Sequence, residues 1–312
     1  MEGGKQLFLI KNLRDMIIVK IIGGLGNQMF QYATARSIAH KNKSSFKLDL
    51  DDFDTYEHHE YGLDHFNIIE NVAAKKDIGR FKKYGLFIEK MPNIVSRVLK
   101  KLKIDRLILH LTGYIKEYSF LYNESVKNET RDIYLDGYWQ SEKYFLEIRD
   151  TLKKDFTLKS GLGEYGKEIA KLINLSENPV CLHIRRGDFA NNPTQNKYHG
   201  VCPPEYYDNA IKIMTEKIKN SHFFVFSDSI DWVKENFATN FPVTFIGQGA
   251  RKNYEDITLM SLCKHHILSN STFGWWGAWL SDNDEKVVIA PKKWFNKPID
   301  IRDLMPDSWI KL

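Results

Sequence analysis

Short apolar runs of strand length alternate with stretches of helical period along most of the chain. Ile17-Ile18-Val19-Lys20-Ile21-Ile22 reads as a buried strand, Gly23 to Gln28 as a glycine-rich turn, Met29 to Lys41 as a helix, and Phe46 to Leu50 as a second strand. That order opens a doubly wound α/β domain, because strands buried on both faces are continuously apolar and are joined through helices. Ile133 to Gln140 reads as a strand leaving onto an aromatic loop, and 141–178 as mostly helical and polar. A second series then begins. Strands are predicted at 180–184, 222–226, 243–246, 266–268 and 287–290, and helices at about 204–219, 230–236, 253–263 and 272–280. The economical fold is α/β, with two Rossmann-like domains facing a cleft. Its predicted parts are an N-terminal domain over 16–165, a second domain over 166–295 and a C-terminal tail over 296–312.

The pattern is less regular between 65 and 120. Ile94, Val95, Val98, Leu99 and Leu102 recur at helical spacing among lysines, and residues 71–120 hold twelve Lys/Arg against four Asp/Glu. This fits a helix packed on its own domain with its lysines in solvent. The stretch also allows a basic amphipathic helix on anionic lipid, which makes residues 75–106 the candidate for peripheral membrane contact. Aromatic–basic interleaving and nucleic-acid motifs are missing, so no nucleic-acid partner is expected. With 312 residues, 43% hydrophobic and 27% charged, the composition is that of a globular protein. Three cysteines without ligand spacing argue against a disulfide framework and structural zinc. The start of the chain lacks an apolar signal region, and no run is long enough to span a bilayer, so a cytoplasmic setting is expected.

Candidate chemistry gathers at strand ends, where α/β sheets bind ligands. His183-Ile184-Arg185-Arg186-Gly187-Asp188 follows the strand at 180–184. Alternation puts His183 and Arg185 on one face. Arg185 is expected to grip phosphate through its planar fork, His183 to lie beside it on the ligand, and Arg186 to brace the loop. Asp188 is the nearest carboxylate and the candidate base, or else it orders the loop through Arg186. Ser269-Asn270-Ser271-Thr272 ends another strand just before a helix, a second place for phosphate or an ordinary N-cap. Asp228 ends the strand at 222–226 and could read a guanine edge or cap the next helix. Gly24, Asn27 and Gln28 stand at a helix N-terminus suited to an anion or a sugar hydroxyl, although Met29 takes the place of the third glycine of a dinucleotide fingerprint. Trp275, Trp276 and Trp279 read as packing rather than sugar platforms. The carboxylates Asp49, Asp51, Asp52 and Asp54 lack a second cluster to complete a metal site, and no metal is expected.

Gly23 to Ala33, His183 to Asp188 and Ser269 to Trp276, taken in order, resemble the α-1,2-fucosyltransferases of glycosyltransferase family eleven, of bacterial type, over about residues 16–295. The resemblance implies a GT-B fold, a GDP-β-L-fucose donor, and inverting, metal-independent transfer to the 2-hydroxyl of a terminal β-galactoside. That acceptor would be a surface glycan, expected on a lipid carrier at the inner membrane. It further implies that Arg185 binds the pyrophosphate, that His183 and Asp228 contact guanine, that Ser269 to Thr272 hold phosphate, and that the Gly24–Gln28 loop faces acceptor or fucose. The rival readings are a fucosyltransferase of another linkage, a nicotinamide-dependent oxidoreductase, and a glycan-binding protein without catalysis.

Overall fold

The computed structural model describes residues 16–54, 59–90, 101–187, 190, 192–237, 239–247 and 252–312. Two sheets organise them, and every strand pair is parallel. The first has the order β2-β1-β4-β3, built from β1 (Met16–Lys20), β2 (Ser45–Asp49), β3 (Tyr114–Lys116) and β4 (Ile133–Asp136). The second has the order β10-β9-β8-β5-β6-β7. Its strands are β5 (Asn178–Ile184), β6 (Ser221–Ser227), β7 (Val243–Ile246), β8 (His265–Ile267), β9 (Val288–Ala290) and β10 (Ile310–Lys311). This is the expected GT-B-like pair of α/β units.

Strand order reverses once in each sheet, and these reversals position the site. The chain runs outward from β5 through β6 to β7, then returns to place β8 on the other side of β5. A crevice opens where connections leave in opposite directions, beyond the carboxyl ends of the strands. The first sheet does the same between β1 and β4. The turns after β1, β4, β5 and β8 therefore border the two crevices.

The helix Leu25–Asn42 begins four residues earlier than its apolar pattern suggests. It takes in Leu25 to Gln28, leaving Gly24 as the N-cap in an extended conformation. The helix is buried almost all round because a second helix, Thr272–Leu280, covers the side turned away from its own sheet. Phe30 meets Trp275 and Trp276 at centroid separations of 4.5 and 5.0 Å, and Phe145 stacks on Trp276 at 5.4 Å. Trp275 and Trp276 are fully buried, as the packing reading required.

Residues 296–312 are not a tail. Leu304, Met305 and Trp309 are buried, the Leu304 carbonyl accepts from Trp275 Nε1 (2.9 Å), and β10 pairs with β9. Their apolar residues are too sparse to show a period. The helical pattern over Ile94–Leu99 lies outside the described residues. After it, the helix Ile104–Leu111 presents Leu107 and Leu111 to solvent.

Candidate active site

A cleft of about 720 Å³ lies at the strand ends, lined from both halves. That volume suits a small-molecule ligand. Of the residues singled out from sequence, Gly24, Asn27, His183, Arg185, Asp228, Asn270, Ser271 and Thr272 line it, whereas Gln28 and Ser269 do not.

The register of β5 on β6 sets His183 beside Phe226 and Ile184 beside Ser227, so the next residues on each strand, Arg185 and Asp228, leave the sheet together. Arg185 Nε lies 3.0 Å from Asp228 Oδ2, and the Arg186 backbone N–H donates to Asp228 Oδ1 at 2.9 Å. One carboxylate thus aims the guanidinium and fixes the turn. Gly187 is required there, because a Cβ would stand 2.4 Å from Asp228 Oδ2. Asp228 does not cap the following helix, whose N-cap is Ser229. The Arg186 guanidinium lies over the Trp232 ring at 3.5 Å, the bracing role expected of it but with an aromatic partner.

His183 is 4% exposed, and its Nδ1 sits 3.0 Å from Ser269 Oγ. Burial, with the charge of Arg185 adding to it, pushes its pKa down to about 3. The ring is therefore neutral near pH 7 and presents a donor and an acceptor rather than a charge.

The turn after β8 differs from the expected cradle of side chains. The Ser269 hydroxyl is fully buried on His183, and Ser271 caps the helix by accepting from the Phe273 N–H. Thr272 Oγ1 donates to Asn27 Oδ1 at 3.1 Å. Asn270 is 3% exposed, with Nδ2 donating to the carbonyls of His199, Gly200 and Trp294. These side chains build the turn; what they leave toward the cleft is the start of a helix, favourable to negative charge.

Across the cleft, Asn27 Oδ1 also accepts from Gln140 Nε2 (2.9 Å), and Trp276 Nε1 donates to the Gly26 carbonyl. The two helix starts press together here. Gln28 is corrected to a structural role: it is fully buried, donating to the Gly23 and Glu60 carbonyls and accepting from the Gly62 N–H. Its small loop needed an internal partner for each backbone group.

Other cleft residues were not singled out from sequence: Phe120, Tyr138, Gln140, Tyr198, His199 and Phe295. Tyr138 and Gln140 follow β4, so the strand-end rule could have found them. Glu117, after β3, positions that turn by accepting from the Tyr138 (2.6 Å) and Trp139 (3.1 Å) N–H groups. Burial, helped by Asp136, raises its pKa to about 7 against the pull of those two donors. Asp188 lies outside the described residues.

Two of the aspartates at and after the end of β2 are engaged in the fold. Asp49 accepts from Tyr134 (2.5 Å) and pairs with Lys82 (2.8 Å), while Asp52 pairs with Lys20. Among the described residues no group of three or more His, Cys, Asp or Glu is placed to hold a metal ion. No described helix is long and apolar enough to cross a membrane.

Two parallel α/β units, joined by a packed core and sharing a cleft that Arg185 lines, form a GT-B-like architecture. The chain belongs to glycosyl transferase family 11, whose model it matches over residues 16–312. An alpha-1,2-colitosyltransferase of Escherichia coli is 36% identical, over 96% of this chain and 99% of that protein. The O-antigen biosynthesis glycosyltransferase WbnK of Escherichia coli is 34% identical, over 93% and 98%. Human galactoside alpha-(1,2)-fucosyltransferase 1 is 27% identical, over 84% of this chain and 64% of its own length.

Proposed function

We propose that the enzyme transfers a 6-deoxy sugar from its GDP conjugate to a glycan, specifically L-fucose from GDP-β-L-fucose to the 2-hydroxyl of a terminal β-galactoside. The observation that carries this reading is Arg185, held by Asp228 beside neutral His183 at the β5–β8 crevice. The relatives' names supply the sugar and the linkage. A colitose donor is the second reading, favoured by the 36% identical colitosyltransferase.

In this reaction the C1–O bond to the β-phosphate breaks and a bond from the acceptor oxygen to C1 forms on the opposite face, inverting the centre. Charge grows on the departing GDP, so a fixed guanidinium beside it stabilises the transition state more than the ground state. The helix start at Thr272 adds to that field. His183 and Asp228 are assigned to the guanine side, and Gly24 and Asn27 to the sugar side. Asp188 is the proposed base for the acceptor proton, and no metal takes part. A lipid-linked acceptor at the inner membrane fits peripheral contact through residues 75–106, continued by the exposed Leu107 and Leu111.

The test is GDP release and product mass from GDP-fucose, GDP-colitose and other sugar nucleotides, with lactose as acceptor and EDTA throughout. Fucosyl-lactose from GDP-fucose supports the first reading, and turnover confined to GDP-colitose supports the second. Arg185→Ala should lower turnover by about a hundredfold or more, with only partial recovery in Arg185→Lys, which lacks the fork. An active Arg185→Ala enzyme would overturn the assignment. Asp188→Asn with an unchanged rate across neutral pH would exclude Asp188 as the base.

A further inference from the structure

The cleft carries two chemistries. His183, Arg185 and Asp228 supply charge and hydrogen-bonding groups, and rings from three separate stretches of chain supply an apolar face. Phe120 comes from the loop after β3, Tyr198 and His199 from the end of the helix Pro193–His199, and Phe295 from the loop after β9. They form a contiguous wall. Phe295 has its centroid 5.3 Å from Phe120, 5.3 Å from Tyr198 and 5.6 Å from His199. Phe295 is buried at 7% exposure, while the three rings around it are only partly buried and border the cleft. The tryptophans of the core show what packing alone does with rings in this protein, since Trp275 and Trp276 are fully enclosed.

The wall is also fixed in place. Asn270 ties the helix end to the β9 loop through the His199 and Trp294 carbonyls. Asn296 adds two bonds, its backbone N–H to the Tyr198 carbonyl and its side chain to the Asn196 carbonyl. A preset apolar surface binds with little ordering cost.

We infer that Phe120, Tyr198, His199 and Phe295 form the acceptor subsite and receive the C–H face of a galactopyranoside. The inference rests on the galactoside reading above and adds where and how that sugar is recognised. A galactopyranoside has its axial 4-hydroxyl on one face. The C–H groups of C3, C4 and C5 therefore gather on the other and make an apolar patch of the kind an aromatic wall desolvates well. A glucopyranoside, with the 4-hydroxyl equatorial, lacks that gathered patch. The wall therefore selects galacto over gluco acceptors, with hydroxyl recognition left to polar neighbours such as Gln195.

The experiment compares wild type, Tyr198→Ala, Tyr198→Phe and Phe120→Leu. Four quantities are read: KM for lactose, rate with cellobiose (its 4-epimer at the terminal sugar), GDP affinity by calorimetry, and GDP-fucose hydrolysis without acceptor. Tyr198→Ala is expected to raise the lactose KM about tenfold and to narrow the preference for lactose over cellobiose. Tyr198→Phe, which keeps the ring, stays near wild type. GDP affinity and acceptor-free hydrolysis hold in all three variants, which also shows that they fold. A lactose KM unchanged in both Tyr198→Ala and Phe120→Leu overturns the inference. So does GDP affinity falling in step with it, which would put the nucleobase on the wall. A wild type that neither binds GDP nor hydrolyses GDP-fucose would instead remove the proposed function.

Discussion

Replacing Gly26 with alanine tests the contact on which the shared cleft depends. A Cβ at Gly26 would stand 2.6 Å from the Thr272 carbonyl carbon, 2.7 Å from Thr272 Oγ1 and 2.8 Å from the Phe273 nitrogen. Ordinary contact begins near 3.4 Å, so the helix starts must part by about 0.8 Å. Two of the three opposing atoms are backbone, and no rotamer change relieves them. Overpacking of this kind costs about 1–3 kcal/mol, and losing the buried Trp276–Gly26 hydrogen bond would add about 1–3 kcal/mol. At roughly 2 °C per kcal/mol for a chain this long, the melting temperature should fall by about 4–12 °C. A shift approaching 1 Å between the groups that hold the two substrates should lower kcat about a hundredfold. Calorimetry and a GDP-release assay read the two effects. Gly24→Ala is the steric control, because its nearest neighbour is His59 Cε1 at an ordinary 3.6 Å, and it should lose only the N-cap preference for glycine over alanine, about 1 kcal/mol. Wild-type stability and kcat in Gly26→Ala would refute the argument.

Three further outcomes are expected. The His183 pKa is pushed down to about 3 in the fold from an ordinary 6.5, so the unfolded chain takes up this proton first as pH falls. Its contribution to stability is complete above about 6.5 and is lost toward pH 3; His183→Gln should flatten that stretch of the melting-temperature curve, and an equal slope would refute it. Deleting residues 304–312 removes Leu304, Met305 and Trp309 from the core, at about 1.5–3 kcal/mol each, and should give an unstable or insoluble chain. A soluble product melting like wild type would show that this segment is dispensable. Leu107→Ser with Leu111→Ser should weaken sedimentation with anionic vesicles and leave lactose turnover in solution unchanged; equal sedimentation would remove the helix Ile104–Leu111 as a membrane contact.

Strand ends were readable because the signal is local: a buried apolar run, then charge. That rule singled out Arg185 and Asp228, which the fold pairs at the cleft, and the apolar pattern marked the helix Thr272–Leu280 within its observed bounds. It did not separate ligand-facing groups from supporting ones. Gln28, Ser269 and Asn270 are small polar residues in the right turns, yet their partners are Glu60, His183 and Trp294, brought close only by the fold. The strand order that opens the two crevices was likewise beyond any local pattern. Phe120, Tyr198 and Phe295 escaped because a ring cluster assembled from three distant stretches has no period. Glu117 escaped for a simpler reason, since a single acid in a basic stretch reads as solvated.

The tryptophan helix has a consequence for how the enzyme can vary. Phe30 and Phe145 from the first half and Trp275 and Trp276 from the second interlock in one core. Exchanging either half for that of a distant relative would set foreign side chains against this seam, so the two halves cannot be shuffled as separate cassettes. New specificities are instead accessible on the cleft surface, at positions such as Tyr198 that border the cleft at the edge of that core. Diversification in such a protein proceeds by repainting a wall while the foundation stays fixed.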